Sequence, residues 1–366
     1  MILTKKVRLI VNEDISSKLY QSAGTARWAY NYAIKMQQIN YRFGGKFIND
    51  NVLRKHITKI KKRPKYAWLN EVSNNVAKQA IKDACQAYKL FFKGQAGYPR
   101  LKTKRMAIPS FYNDSVKLKV KGKSVLLEKI GWIKTSEQLP IGCKYYNPRI
   151  KFDGKYWYLS VGIDIETQKQ ELDGRTIGID VGIKELAVTS DGVFYRNINK
   201  TNSVRKAENR LKRMQRQASK KYKKGKPKSS NLIKLEERIR RQHRHLANIR
   251  NNYIHQVSSE IVKSKPSRIV MEDLNIKGMM KNKHLAKSVA NQKFYFFKKC
   301  MQYKCELNGI EFVEVSRWYP SSKRCNNCGL INKNLKLSDR IYRCECGYHC
   351  DRDLNASYNL RDYQLI

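Results

Sequence analysis

Ile177-Gly-Ile-Asp-Val-Gly182 is the stretch of sequence that decides the fold, because an apolar run typical of a β-strand ends there on an acidic residue, Asp180. Ile177 and Ile179 would face one side of such a strand, while Asp180 would face the other. A lone acid at the end of a strand is more often a turn or capping residue than a catalytic one. The segment therefore needs partners elsewhere in the chain before it indicates chemistry.

Two other acidic residues stand in comparable contexts. Glu272 ends the apolar run Ile269-Val-Met-Glu, which could lie beside the first strand in a parallel sheet. Asp353 begins a helix-like segment that Asp351 is placed to cap. Two-metal phosphodiester cleavage needs several carboxylates that converge from different elements, with the ions about 4 Å apart. Asp180, Glu272 and Asp353 are therefore the predicted catalytic residues and the predicted Mg²⁺ ligands.

The charge of the chain indicates a polyanionic partner. The 366 residues include 76 Lys and Arg against 30 Asp and Glu, a formal net charge of +46. Such an excess favours nucleic-acid binding through counterion release. A hydrophobic content of 41% is enough for real cores, which excludes a disordered polycation. No apolar stretch approaches the roughly 20 residues of a membrane span, and no signal peptide is recognisable, so we expect a cytoplasmic protein without a membrane partner.

Hydrophobic periodicity predicts a helical unit over residues 15–95. Two helices are expected in it, over 15–37 and 69–92, with a Lys-rich linker at 59–65. The helical unit would be an insertion into a β unit, described next.

Short alternating runs separated by turn residues predict a small antiparallel β unit over residues 105–166. A strand at 3–11 could complete it. The other strands expected here are 116–120, 124–127 and 156–161.

The second half of the chain mixes strands with a long helical region. Strands are expected at 175–180, 185–189, 269–271 and 311–315. Over residues 203–263, Leu232, Ile239, Leu246 and Tyr253 recur every seven residues, which predicts a helical hairpin with its loop at 220–228. Lys and Arg greatly outnumber Glu in this hairpin, which favours contact with nucleic-acid backbone over an ordinary solvated face. Arg238, Arg240 and Arg241 are its candidate contact residues.

Five of the nine cysteines are concentrated in residues 325–350. Cys325-Asn-Asn-Cys328-Gly is one half of a zinc knuckle, and Cys344-Glu-Cys346-Gly is a second half with a tighter spacing. We expect Cys325, Cys328, Cys344 and Cys346 to hold one structural Zn²⁺, with Cys350 or His349 as possible replacements for one ligand. The scattered Cys85, Cys143, Cys300 and Cys305 are expected to be small core residues.

From Arg175 onward the sequence resembles the TnpB family of transposon-encoded RNA-guided DNA endonucleases, which is related to the small type V CRISPR effectors. Four segments in this order carry the resemblance: Gly178-Ile-Asp-Val-Gly-Ile183, Val270-Met-Glu-Asp-Leu274, Pro320-Ser-Ser-Lys-Arg-Cys-Asn-Asn-Cys-Gly329 and Asp351-Arg-Asp-Leu-Asn-Ala-Ser-Tyr-Asn-Leu360. The first half is similar more loosely, through Tyr66-Ala-Trp-Leu69, Gly97-Tyr-Pro-Arg-Leu-Lys102 and Lys129-Ile-Gly-Trp-Ile133.

The resemblance implies an α+β multidomain protein with a RuvC-like (RNase H-type) nuclease domain, a zinc-ribbon insertion, and a small β-barrel wedge domain with an inserted helical recognition lobe. The implied segments are 1–14 and 96–172 for the wedge domain, 15–95 for the recognition lobe, 173–316 and 351–366 for the nuclease domain, and 317–350 for the zinc insertion. The implied partners are a guide RNA from the transposon end and double-stranded target DNA, bound by one protein chain. The three acids are implied to hold two Mg²⁺ ions.

A protein of this kind must read a short motif in the duplex beside its target before guide pairing can start. By resemblance, that contact belongs to the helical lobe and the wedge domain. Asn74, Asn75 and Gln79 are the candidates, because Asn and Gln can contact adenine bidentately. The region around Ser110–Asn113 is the alternative.

Three other functions remain open at the level of sequence. The protein could be an RNA-guided DNA binder without catalysis, a zinc-ribbon accessory protein of transposition without RNA, or a junction resolvase. The intact acidic trio argues against the first, and the large basic surface argues against the last. RNA that copurifies with the protein would separate the second from the RNA-guided functions.

Overall fold

The computed structural model describes residues 1–104, 106–167, 170–336 and 339–364. The chain divides into two compact units, Met1–Ile165 and Glu166–Ile366, whereas the sequence places this boundary between residues 172 and 173. The expected segments 96–172, 317–350 and 351–366 each contain a few positions that lie outside the described residues.

The first unit contains an antiparallel sheet. Its strands are β1 (Ile2–Ile10), β2 (Ser110–Tyr112), β3 (Lys119–Lys121), β4 (Ser124–Leu127), β5 (Gly131–Thr135), β6 (Tyr145–Phe152) and β7 (Trp157–Asp164). The seven strands are ordered β2-β6-β7-β1-β5-β4-β3. β1 pairs with β7 along most of its length and with β5 near its end. The N-terminal strand therefore completes the β unit, as the sequence predicts.

One strand of this sheet differs from its prediction and another, β6, was not predicted, each for a local reason. The strand expected at 116–120 is wrong in its first half, because the Asp114 side chain accepts a hydrogen bond from the Val116 N–H (2.9 Å) and sets up a turn. Only Lys119–Lys121 joins the sheet. β6 has no simple alternation in sequence because its pairing with β7 shifts register between Tyr146 and Arg149, on either side of Pro148.

Three helices follow β1: α1 (Glu13–Arg42), α2 (Asp50–Ile60) and α3 (Asn74–Phe92), with a 3₁₀ turn at Pro64–Asn70 before α3. Each helix begins at a side-chain cap, Asn12, Asn49 and Ser73 respectively. The sequence analysis missed α2, although its buried Leu53, Ile57 and Ile60 have helical spacing. The helices share one core with the sheet, in which Trp157 and Leu159 of β7 belong to the same cluster as the alanines of α1 and α3.

The second unit is built on a mixed sheet. Its strands are β8 (Thr176–Asp180), β9 (Glu185–Thr189), β10 (Phe194–Arg196), β11 (Arg268–Glu272) and β12 (Glu311–Val315), in the order β10-β9-β8-β11-β12. β11 is parallel to both β8 and β12, while β9 is antiparallel to β8. The parallel placement of β8 and β11 confirms the sequence-based prediction.

Helices cover both faces of this sheet. The other elements are α4 (Asn202–Lys221), α5 (Ser230–Lys263), α6 (Ile276–Met279), α7 (Ala286–Gln292), α8 (Phe294–Asn308), β13 (Ile341–Arg343), β14 (His349–Asp351) and α9 (Arg352–Arg361). Ile177 and Ile179 of β8 pack with α5 and α8 on one face. On the other face, Val270 of β11 packs with Leu360 of α9.

α4 and α5 form the helical hairpin that the heptad pattern predicts, and α4 extends two residues into the predicted loop. Val204 and Leu211 of α4 pack against Leu246 of α5, with Ile239 and Ile249 partly buried beside them. Leu246 and Ile239 come from the repeat seen in the sequence, whereas Val204 and Leu211 belong to the facing helix α4.

Candidate nuclease site and cysteine cluster

Asp180 and Glu272 end two neighbouring parallel strands. β8 and β11 are paired so that Ile179 lies opposite Met271, and the next residue on each strand is acidic. Parallel strands end at the same edge of a sheet, so the two carboxyl groups lie side by side at its C-terminal edge. Both residues are partly buried there.

Helix α9 brings the third acid to this edge. Its backbone approaches β8 so closely that a Cβ atom added to Gly178 would lie 2.0 Å from the Ser357 carbonyl oxygen. The carboxylate of Asp351 caps the helix by accepting hydrogen bonds from the N–H groups of Asp353 (2.9 Å) and Leu354 (3.2 Å). Asp353 therefore stands in the first turn of a helix that is packed directly on the strand of Asp180.

The pKa of Asp180 responds to the charges of the two other acids. Burial, together with the nearby charges of Asp353 and Glu272, raises the pKa of Asp180 to about 8, and Arg352 opposes this rise. Burial also raises the pKa of Glu272. Carboxylates that repel one another in a partly buried site are the donor set that hard divalent cations such as Mg²⁺ bind. The residues present therefore fit a magnesium site.

The acids next to this trio have structural roles. Asp273 forms ion pairs with Lys298 (3.1 Å) and with Arg317. Asp351 is the cap of α9. Both observations agree with the sequence analysis, which leaves these two acids out of the catalytic set.

Cys325, Cys328, Cys344 and Cys346 form a compact cluster in which all four sulfur atoms lie within 4.8 Å of one another. The Sγ atoms of Cys325 and Cys346 are 3.8 Å apart, and those of Cys328 and Cys344 are 3.5 Å apart. Tetrahedral zinc with Zn–S bonds of ~2.3 Å requires sulfur separations of about 3.8 Å. The four cysteines thus fit a structural zinc site.

The remaining cysteines are mostly core residues. His349 and Cys350 lie on β14 and do not belong to the cluster. Cys85, Cys300 and Cys305 are buried, as expected. The expectation is wrong for Cys143, which is only partly buried in a turn near Pro140.

Sequence reasoning missed the polar residues that connect the cysteine cluster to the acidic site. Ser321 donates a hydrogen bond to a carboxylate oxygen of Glu272 (3.2 Å). Asn355 and Asn359 of α9 are buried and donate to backbone carbonyls of the segment just before Cys325. The spacing of four between the two asparagines was a usable signal, because it places both on one face of a helix that also carries Asp353.

The basic hairpin presents its arginines to solvent. Arg238, Arg240 and Arg241 are exposed on α5, and Arg241 pairs with Glu237 one turn earlier. Arg250 differs, since it is largely buried in an ion pair with Glu208 (2.6 Å). The three predicted contact residues are therefore accessible to a phosphate backbone.

The three candidate motif-reading residues lie together at the start of α3, and each has a partner within the protein. Lys61 donates to the side-chain oxygen (Oδ1) of Asn74, the Asn75 amide donates to Glu128 (3.2 Å), and the Gln79 amide donates to Asp83 (2.8 Å). The backbone N–H of Glu128 in turn donates to Asn113 (3.1 Å). The helix start and the alternative region around Ser110–Asn113 thus belong to one hydrogen-bond network.

No helix among the described residues is long and apolar enough to cross a membrane.

Three family models match the chain. The model for "Cas12f1-like, TNB domain" matches residues 294–360, and the IS605 OrfB model "Probable transposase" matches residues 160–283. A "Helix-turn-helix domain" model of the same OrfB proteins matches residues 1–46. In this structure those 46 residues form β1, the whole of α1 and the first residues after that helix.

Full-length relatives are similar to the chain over most of its length. "Putative RNA-guided DNA endonuclease InsQ" of Escherichia coli (strain K12) is 29% identical over 355 residues, which cover 92% of this chain and 86% of the relative. "Putative RNA-guided DNA endonuclease" of Streptomyces pristinaespiralis is 27% identical, with 97% of this chain and 87% of the relative covered.

Solved structures share the fold at low sequence identity. The cryo-EM structure of a Cas12f1–sgRNA–target DNA complex matches with a TM-score of 0.62 and 15% identity, covering 96% of this chain and 84% of that one. The mini-RNA-guided endonuclease CRISPR-Cas_phi3 matches with a TM-score of 0.54 and 10% identity, covering 98% and 92%.

The chain shares its α+β fold with the Cas12f1 and Cas_phi3 structures and contains a cluster of four cysteines. It carries domains of the TnpB family, the OrfB proteins of IS605-type elements, at residues 1–46 and 160–283.

Proposed function

We propose that this protein is an RNA-guided DNA endonuclease that cleaves target DNA beside a short transposon-adjacent motif by two-metal-ion phosphodiester hydrolysis. The convergence of Asp180, Glu272 and Asp353 on one edge of a sheet carries the proposal. The names of the two full-length relatives support the same activity. A guide RNA, double-stranded target DNA and a location in the cytoplasm at the nucleoid follow from it.

The domain assignment is part of the proposal. We assign 173–316 and 351–366 to a RuvC-like nuclease domain, with the zinc ribbon at 317–350 inserted in it. The mixed sheet with α9 on one face supports this assignment. We assign the antiparallel sheet of 1–14 and 96–172 to a β-barrel wedge domain, and the helices of 15–95 to the recognition lobe.

In the proposed mechanism, bound Mg²⁺ would activate water and stabilise the leaving oxygen. The three carboxylates would hold the metal, and Arg352 would offset part of their mutual repulsion. Exposed Lys and Arg would hold the nucleic-acid backbone, while base pairing with the guide would supply sequence specificity. The four cysteines would hold zinc in a closed site that leaves no position for a reacting water.

Single replacements of the acids test this function. Asp180→Ala, Glu272→Ala and Asp353→Ala should each abolish cleavage of a guide-matched duplex while RNA-dependent DNA binding survives. Glu311→Gln is the matched control, because Glu311 is an exposed acid at the opposite end of the same sheet. Near-normal cleavage by Asp180→Ala would contradict the assignment of Asp180 as a catalytic residue. Cleavage by purified protein that contains no RNA would contradict the proposed guide RNA.

A further inference from the structure

One short segment contacts Glu272, helix α9 and the cysteine cluster. Residues 320–326, which we name the connecting loop, lie after β12 and include Cys325, the first cysteine of the cluster. Within this loop, the Ser321 hydroxyl donates to Oε2 of Glu272 at 3.2 Å, and Ser321 is only 3% exposed. The hydroxyl is therefore held against the carboxylate without competition from bulk water.

The connecting loop is fixed from the side of α9. The Asn359 amide donates to the carbonyl oxygens of Ser321 and Arg324, both at 2.7 Å, and the Asn355 amide donates to Arg324 at 2.8 Å. The backbone N–H of Asn326 donates to the side-chain oxygen (Oδ1) of Asn355 at 3.2 Å. Asn355 and Asn359 are 0% and 3% exposed. Buried, fully paired amides of this kind hold a backbone in one geometry.

The other end of the loop is fixed at the cysteine cluster. Cys325 is buried, and its N–H donates to the Leu330 carbonyl oxygen at 2.8 Å. Ser321 is therefore anchored between α9 and the cluster, four residues before the first cysteine. Its hydroxyl can orient Glu272 because it cannot itself move far.

We propose that Ser321 is a positioning residue that orients the Glu272 carboxylate for divalent-metal binding. The inference rests on the proposed function, since it requires that Glu272 hold a metal. A carboxylate that is fixed before the metal arrives loses less rotational freedom on binding. Hydrogen-bond partners of metal ligands typically change metal affinity by about 10–100-fold when they are removed.

Metal binding to Ser321→Ala tests the inference directly. Mn²⁺ would be titrated calorimetrically into the purified protein with its copurified RNA, and the metal concentration for half-maximal cleavage would be measured in parallel. We expect the dissociation constant for Mn²⁺ and the metal concentration for half-maximal cleavage each to rise by about tenfold or more. The zinc content and the melting temperature should stay unchanged. Ser322→Ala is the control, because Ser322 is the adjacent serine of the same loop and is partly buried. It should bind Mn²⁺ like the parent protein.

A pair of isosteric variants keeps the test decisive if Ser321→Ala does not fold. Ser321→Thr and Ser321→Val add the same volume and differ only in the hydroxyl. The Thr variant should bind Mn²⁺ more tightly than the Val variant by about tenfold. Equal affinities in this pair would overturn the proposal.

The outcomes separate the inference from the function on which it depends. If Glu272→Gln abolishes Mn²⁺ binding and cleavage but Ser321→Ala leaves both unchanged, the positioning role is wrong and the proposed function stands. If Glu272→Gln also leaves Mn²⁺ binding and cleavage unchanged, the function itself fails.

Discussion

Gly178 of β8 and Ser357 of α9 lie so close that no side chain fits between the two backbones. A Cβ atom at position 178 would come within 2.0 Å of the Ser357 carbonyl oxygen and 2.4 Å of the Arg361 nitrogen. Because both neighbours are backbone atoms, neither can rotate away. The glycine therefore sets the distance between the strand that carries Asp180 and the helix that carries Asp353.

Gly178→Ala should displace α9 and disrupt the acidic site. Overpacking against backbone should lower the free energy of unfolding by about 3 kcal/mol or more, and cleavage should be lost. Gly182→Ala is the control, because a Cβ atom there would meet its nearest neighbour, the Glu185 carbonyl oxygen, at an ordinary 3.5 Å. Denaturant unfolding and cleavage assays of both variants measure the difference. Equal stability of the two would contradict the close approach.

The stability of the protein without divalent ions should fall as pH rises. The pKa of Asp180 is raised from an ordinary 3.8 to about 8, so the folded state favours the neutral carboxyl group. The resulting contribution of Asp180 to the free energy of unfolding is complete below about pH 4 and is lost as pH rises through about 8.

Asp180→Asn isolates this contribution, since the amide does not titrate. The melting temperature of the parent protein, relative to Asp180→Asn, should fall between pH 5 and pH 9 in about this window, and added Mg²⁺ should restore it. Thermal unfolding of both proteins across the range provides the measurement. If the melting temperatures of the two proteins changed with pH in parallel, the three acids would not interact as described.

The purified protein should contain about one zinc per chain, as four cysteine ligands require. Cys344→Ser should lose the metal and lower stability, because a structural site contributes its binding energy to folding. Cys350→Ser should keep the metal, since Cys350 lies outside the cluster. Metal analysis by mass spectrometry distinguishes them. Zinc retained by Cys344→Ser and lost by Cys350→Ser would reassign the ligands.

Replacing Arg238, Arg240 and Arg241 together by Gln should weaken binding of RNA or of the guide–target duplex without changing sequence preference. Each phosphate contact contributes about one unit to the slope of log affinity against log salt concentration. Arg241 already pairs with Glu237, so a loss of about two units is expected. The triple Lys variant keeps the charge and should keep the slope. An altered target preference at an unchanged slope would contradict backbone contact.

Replacing Asn74, Asn75 and Gln79 by Ala should change the motif that the protein requires beside its target. A plasmid library with a randomised flank, sequenced after cleavage, measures the preference. Asn75 and Asn113 both contact Glu128, so the triple variant would be compared with Asn113→Ala. If only Asn113→Ala changes the motif, the reading residues lie near β2 instead.

Local patterns in the sequence were enough for the elements that carry the site. Apolar runs predicted β8 and β11, the heptad repeat predicted the hairpin of α4 and α5, and knuckle spacing predicted the cysteine cluster. The position of α9 on β8 was not predictable in this way, because it depends on the absence of a side chain at Gly178. The hydrogen bond from Ser321 to Glu272 joins residues far apart in the chain, so no local pattern reports it.

The hydrogen bonds of Asn75 and Gln79 in the first unit were also not predictable from local sequence patterns. Asn75 and Gln79 look like a free polar helix face in sequence. In the structure their amides are engaged by Glu128 and Asp83, and Asp83 is itself held by Arg149 at 2.6 Å. Availability for DNA depends on these partners, and only the tertiary structure supplies them.

The close fit of α9 on Gly178 also governs when the proposed nuclease can become active. Asp180 and Glu272 leave the ribosome before Asp353 is translated, so a nascent chain exposes two acids and an uncovered β8 surface. Proteolysis that removes α9 would return the protein to that state. A partial chain of this kind would keep α4 and α5 but would lack Asp353, the third metal ligand of the proposed function. Under that function, DNA cleavage would be restricted to chains that include a folded α9.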